Sequence, residues 1–162
     1  MLPSKNTARV KPETDRHVLV ALDESENAKR ALLYAADFLG GSPGFRVTLL
    51  SIIADPSEDY FTSSSERDAW IKDKISRSKE LLHGYREILV QSGFRVDKVD
   101  VKVEVKNCPS IADCILEIQR ELGCCTIVVG RRGISKKEEF IFGSTSNKLL
   151  HSGKNCAVWV IE

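Results

Sequence analysis

The chain reads as an α/β protein. The expected fold is a five-stranded, parallel, doubly wound sheet with helices on both faces, in three α/β/α layers. Three observations predict it. Short apolar runs of strand type recur along the 162 residues. Between them lie segments whose apolar residues repeat at helical spacing. Strands that alternate with helices favour parallel pairing through crossover helices. No internal repeat is visible, so residues 17–162 are expected to form one domain, with 1–16 as a flexible N-terminal tail.

The elements follow in order. HVLVAL at 17–22 reads as a buried strand. Asp23-Glu24-Ser25 reads as a turn with Ser25 as a helix N-cap. Ala28, Ala31, Leu32, Ala35 and Leu39 mark one face of a first helix, which Gly40-Gly41 ends. FRVTLLSIIA at 45–54 is a second strand, and the polar stretch 55–67 is a surface loop. Trp70, Ile71, Ile75, Leu82, Tyr85 and Leu89 predict a long second helix that ends near Gly93. VDVKVEV at 99–105 alternates apolar and polar residues, as a strand near a sheet edge does. Pro109 suits the first position of a third helix with Ile111, Ile115, Ile118 and Leu122 on its apolar face. CTIVV at 125–129 is the fourth strand, 146–152 the fourth helix and AVWVI at 157–161 the last strand.

Bulk properties exclude several functions. The net charge of +1 gives no electrostatic argument for nucleic acid or membrane. No apolar run approaches the roughly 20 residues that span a bilayer. The first residues lack the apolar core of a secretory signal. A cytoplasmic location is therefore expected. The five cysteines are odd in number and contain no C-x-x-C. They are expected to be reduced, mostly buried thiols. Redox sensing is the sharper alternative, and it requires an exposed thiolate. His17, His83 and His151 are isolated, so no metal site is expected.

The most informative feature is Gly130-Arg131-Arg132-Gly133, then nine residues, then Gly143-Ser144-Thr145. The first part leaves a strand and the second opens a helix. Glycine lets a backbone approach a phosphate closely. A helix start offers unpaired N–H donors and the positive end of a dipole. Ser144 and Thr145 add hydroxyls. Taken singly, Gly130 and Gly133 could be an ordinary strand exit, and Gly143-Ser144 ordinary helix initiation. The spacing and context together favour an anion site. Asp23, at the exit of the first strand, is equally a turn carboxylate or a ligand contact. If the first and fourth strands adjoin at the point where strand order reverses, Asp23 faces the glycine loop across a crevice. Arg131, Arg132, Lys136 and Lys137 cluster in that loop and read either as phosphate partners or as a solvated charged loop. No G-x-G-x-x-G follows the first strand, and no G-x-x-x-x-G-K-[ST] or G-x-S-x-G occurs. A phospho-acceptor receiver domain is rejected because Lys106-Asn107-Cys108-Pro109, not an aspartate, follows the third strand.

In order along 17–161, the segments VLVALDESENAKRAL, RVTLLSII, TIVVGRRG, FIFGSTSNKLL and AVWVI resemble the ATP-binding subgroup of the universal stress protein family. The resemblance implies a Rossmann-like, adenine nucleotide α-hydrolase-like sheet that binds ATP or AMP, with Mg2+ as an optional companion. It implies Ala21, Asp23 and Ile52 near the adenosine, with Leu22 beside them. It implies Val129, Gly130, Arg132 and Gly133 along the ribose and phosphates, with Arg131 in the same loop. Gly143, Ser144 and Thr145 would hold the phosphates. Family members commonly dimerise through the last strand. Here Ala157–Ile161 is short, apolar and expected at an edge, where a twin would cover it. The expected function is a homodimeric, nucleotide-dependent stress-response sensor or switch. No catalytic residue is apparent, so at most slow hydrolysis is expected. The alternatives are a weak ATPase or phosphotransfer protein, and a partner-binding domain that takes no nucleotide.

Overall fold

The computed structural model describes residues 15–131 and 144–162. Five strands, β1 (Arg16–Ala21), β2 (Phe45–Ala54), β3 (Val99–Lys106), β4 (Thr126–Gly130) and β5 (Ala157–Ile161), form one parallel sheet in the order β3-β2-β1-β4-β5. The order reverses at β1, whose neighbours are β2 and β4. The middle of β1, Val18 to Val20, and nearly all of β4 are buried, as central strands covered on both faces must be. β3 and β5 are the edges, and their residues are mostly half-buried. The alternating pattern of β3 and the terminal position of β5 both anticipated this.

Four helices complete the layers: α1 (Glu26–Leu39), α2 (Ser64–Gln91), α3 (Ile111–Leu122) and α4 (Ser144–Ser152). α1 and α2 cover one face. Ala28, Ala31, Leu32, Ala35, Ala36 and Leu39 of α1 pack with Leu82, Tyr85 and Leu89 of α2 on Val18, Val20, Val47 and Val128. α3 and α4 cover the other. Ala112, Ile115, Leu116, Ile118 and Leu149 pack there on Leu19, Leu50, Ile127 and Val129. Alternate residues of each strand thus serve opposite layers, as the period of two requires.

Helix starts are set by side-chain caps. The Ser25 hydroxyl accepts the Ala28 N–H at 3.1 Å, as its sequence position suggested. α2 begins earlier than its apolar residues indicate. The Ser63 hydroxyl accepts the Glu66 N–H at 3.2 Å, and Glu66 reaches back to the Thr62 N–H at 2.9 Å. This resembles a capping box, with Glu66 reaching one residue beyond the cap, and it is hidden in a serine-rich run. The expected loop 55–67 is therefore shorter and also contains a 3-10 turn, Glu58–Tyr60. α3 is capped by Ser110, whose hydroxyl accepts the Asp113 N–H at 3.2 Å. Pro109 stands one residue before that cap, not at the first helical position. At the helix end Gly123 adopts φ 65° and closes the last turn.

Two further differences concern the chain's start and its cysteines. The first strand opens at Arg16, whose N–H donates to the Gly44 carbonyl at 2.7 Å. Asp15 pairs with Lys98. The expectation for residues 1–14 lies outside the described residues. The expectation of reduced cysteines is corrected. Cys108 and Cys114 are joined in a disulfide, with Cα atoms 5.8 Å apart. Ser110 as N-cap turns the chain so that Cys114, in the first turn of α3, comes back over Cys108. Cys124, Cys125 and Cys156 are free. Burial, then the neighbouring Cys125 and Cys156, pushes the Cys124 thiol up to about 12.

Candidate functional site

The site sits at the carboxyl ends of β1 and β4, where strand order reverses and an open α/β sheet leaves a crevice. Val20 lies opposite Val128, which sets Ala21 beside Val129. Ala21, Ile52 and Val129 all belong to the face covered by α3 and α4. They give that crevice an apolar wall. Leu22 turns the other way, into the core beneath α1, and its N–H donates to the Leu50 carbonyl at 2.8 Å. Leu22 therefore supports the site from behind.

Asp23 makes the turn. Its carboxylate accepts the Ser25 N–H at 2.9 Å, and Ser25 in turn caps α1. The side chain remains half-exposed at the crevice rim. Gly130 has a reason for lacking a side chain that the sequence did not reveal. A Cβ there would stand 2.6 Å from the Asn27 carbonyl carbon and 2.9 Å from the Ala28 nitrogen. The end of β4 packs directly on the start of α1, and only glycine permits that approach.

Arg131 follows immediately. Its N–H donates to the Ile161 carbonyl at 2.7 Å, and its guanidinium pairs with Glu162 at 2.5 Å. It is thereby drawn toward β5. Its Nε is buried without a hydrogen-bond partner among the described residues. Its carbonyl accepts the Ser146 hydroxyl at 3.1 Å. That bond matters for the site, because it fastens the first turn of α4 to the exit of β4. Ser144 is exposed and Thr145 half-buried at this helix start. A helix leaves its first N–H groups without intrahelical partners. Arg132, Gly133 and Gly143, and the lysines at 136 and 137, lie outside the described residues.

Sequence reasoning missed a polar cluster beside this helix. Lys148, one turn into α4, donates to Asp113 at 2.6 Å and to the Ser110 hydroxyl at 3.2 Å. Ser110 also donates to Asp113 at 2.7 Å. Hydrogen bonds from Lys148 first, then Ser110, hold the Asp113 carboxyl below its ordinary range. The S-x-x-D spacing was the available signal, but nothing in sequence pointed to Lys148. The arrangement can therefore offer apolar side chains at the strand exits, two hydroxyls and the positive end of a helix dipole, a set that suits a phosphate ester carried on a flat apolar group.

The parallel, doubly wound sheet, with strand order reversing at β1, defines a Rossmann-like class of α/β protein. A profile of the universal stress protein family matches residues 15–162, and the chain belongs to that family. A relative from Staphylococcus haemolyticus, named for the same family, is 30% identical over 150 residues, covering 92% of this chain and 86% of its own length. The universal stress protein UspA from Lactobacillus plantarum superposes with a TM-score of 0.75 at 16% identity, covering 91% of this chain and 97% of that one. A universal stress protein from Archaeoglobus fulgidus in complex with dAMP superposes with a TM-score of 0.62 at 20% identity, covering 93% and 99%. Among the described residues, no helix is long and apolar enough to cross a membrane.

Proposed function

We propose that this chain binds an adenine mononucleotide, ATP or AMP, in the crevice at the exits of β1 and β4, and works as a nucleotide-dependent stress-response switch. In this reading Ala21, Ile52 and Val129 pack on the adenosine, and Asp23 accepts a hydrogen bond from it. The N–H groups at the start of α4, with Ser144, Thr145 and the glycines at 133 and 143, hold the phosphates. Mg2+ would accompany ATP as the counterion that lowers the charge of its phosphates. The observation that carries the reading is the Ser146–Arg131 bond, which fastens a helix start beside the strand exits. The dAMP complex of the Archaeoglobus fulgidus relative supports the adenine assignment.

The switch works as a homodimer. Among the described residues, β5 is an edge strand. Beside it, Tyr34 and Phe38 of α1 stack at 5.8 Å, and both meet Trp159 edge-on, Phe38 at 5.4 Å. Phe38 is 62% exposed and Tyr34 45%. An apolar patch continuous with an open strand edge suits a second copy of the chain. No group in the described site is placed to activate water, so the reading is binding with little turnover.

The test is mass spectrometry of small molecules released from freshly purified protein, then calorimetric titration with ATP and AMP. Released adenine nucleotide, or saturable binding heat, upholds the reading. Neither one, in protein shown to be folded, overturns it. Sedimentation tests the dimer separately: the chain is expected to sediment as a dimer at micromolar concentration and Trp159→Arg as a monomer.

A further inference from the structure

We propose that the Cys108–Cys114 disulfide is a thiol–disulfide exchange site that sets nucleotide affinity, reduced by a small dithiol and reoxidised by a small disulfide. The control of affinity rests on the nucleotide reading above. The mechanical link beneath it does not.

The link runs through four residues. The disulfide closes a short ring from the exit of β3 onto the first turn of α3. Inside that ring stands Ser110, the N-cap. Ser110 and Asp113 form the acceptor pair for Lys148, at 3.2 and 2.6 Å. Lys148 is one turn from Ser144, where α4 begins. α4 has nine residues, of which only Ser146 and Leu149 are buried, so its placement depends heavily on its polar ties. One tie runs from Ser146 to the exit of β4. Another runs from Lys148 to the disulfide ring. Opening the ring frees Cys108, Pro109 and Ser110 from the turn that fixes them. The acceptor pair then loses its fixed position against Lys148, and the start of α4 loses that tie.

The sulfur chemistry is balanced by the two reagents. Cys108 is half-buried, whereas Cys114 is 1% exposed, so attack falls on Cys108. A thiolate of the dithiol bonds to the Cys108 sulfur. The Cys108–Cys114 bond breaks, and Cys114 leaves as a thiolate that takes a proton from solvent. The second thiolate of the reagent then attacks the reagent's own sulfur in the mixed disulfide. The reagent leaves as a disulfide, and Cys108 is released as a thiolate and protonated. Two electrons pass from reagent to protein. Oxidised glutathione reverses the change and leaves as two thiols.

The experiment uses the full chain carrying Cys125→Ser and Cys156→Ser, so that only the one pair exchanges. Hydrogen exchange across α4 and calorimetric titration with AMP are each measured in oxidised glutathione and in dithiothreitol. Reduction is expected to speed α4 amide exchange severalfold and to weaken AMP about 5-fold or more, the low end of ordinary coupling between sites. Cys108→Ser should match the reduced chain in both reagents. Lys148→Ala should bind AMP equally in both. Unchanged α4 exchange overturns the proposal. So does changed exchange with unchanged AMP affinity. Exchange that responds while AMP binds in neither state upholds the mechanical link and overturns the nucleotide reading instead.

Discussion

The two helical layers hold the same sheet by different means. α1 and α2 pack through a nearly continuous apolar seam built on four small alanines, so α1 lies close enough for Gly130 to touch its backbone. α3 and α4 also bury apolar residues, but they add a set of polar ties. These are the Ser110–Asp113–Lys148 cluster, the Ser146–Arg131 bond, a buried Gln119 side chain donating to the Cys124 carbonyl at 2.8 Å, and a disulfide. Apolar burial is non-directional and tolerates no partial loosening without a cavity. Polar ties are directional and can be released one at a time. The first layer is thus a scaffold, and the second is the layer that can respond to a ligand.

The sharpest way to break the scaffold is Gly130→Val. Its side chain would meet the Asn27 and Ala28 backbone, which cannot move without shifting α1. The expected cost is about 3 kcal/mol or more, a large part of a domain's stability. Thermal unfolding should show it as a fall in Tm or as failure to fold. A variant as stable as the parent would mean that the close approach is wrong.

A matched pair sharpens the contrast. Leu32→Ala and Leu149→Ala each empty a fully buried site, one in each layer. Each should cost about 2–5 kcal/mol in denaturant unfolding. At temperatures where both remain folded, only Leu149→Ala should weaken AMP, because only α4 carries the helix start proposed to hold phosphate. Equal affinities would remove the distinction between the layers.

Ser146→Ala cuts the tie to the Arg131 carbonyl. Ser146 is 1% exposed, and loss of its hydroxyl leaves the Arg131 carbonyl without that donor. A stability loss of about 1–2 kcal/mol is expected. AMP titration should weaken in the same variant.

The smallest effect is a pH dependence confined to the responsive layer. The His17 imidazole accepts from the Thr48 hydroxyl at 2.7 Å, and its other ring N–H donates to the Leu122 carbonyl at 3.3 Å. Burial, the largest influence, lowers its pKa, with the Leu122 carbonyl opposing. The unfolded chain therefore binds a proton more readily, near its ordinary pKa of 6.5. Stability from neutral His17 is complete above that pH and is lost as pH falls through the lowered folded value. His17→Gln should flatten the stability profile between about pH 7 and pH 5. Identical slopes in parent and variant would contradict this.

The scaffold was more legible in sequence than the responsive layer, and for a physical reason. Apolar periodicity writes strands and packed faces directly into residue order. The edge position of β3 followed from that patterning and that of β5 from its terminal place, whereas the adjacency of β1 and β4 entered only as a condition that the strand order meets. The polar ties join residues far apart in sequence, such as Lys148 and Asp113, and no local pattern announces them. The start of α2 was missed because its cap lies in a run that also reads as a loop. The disulfide was missed because an odd cysteine count argues against pairing, and because only the Ser110 turn brings Cys114 over Cys108. Gly130 was identified as special, but its tightest constraint comes from α1, a contact invisible in sequence.

The measurement that tests the central claim most directly is amide chemical-shift mapping of AMP on the isotope-labelled chain. The account predicts shifts at Asp23, Ser144, Thr145 and the exits of β1 and β4, with the α1–α2 seam quiet. The opposite end of the sheet holds a rival cleft of about 380 Å³, lined by Gly41, Ser42, Gly44, Phe45 and Lys98. Shifts gathered there, or no shifts at saturating AMP, would contradict it.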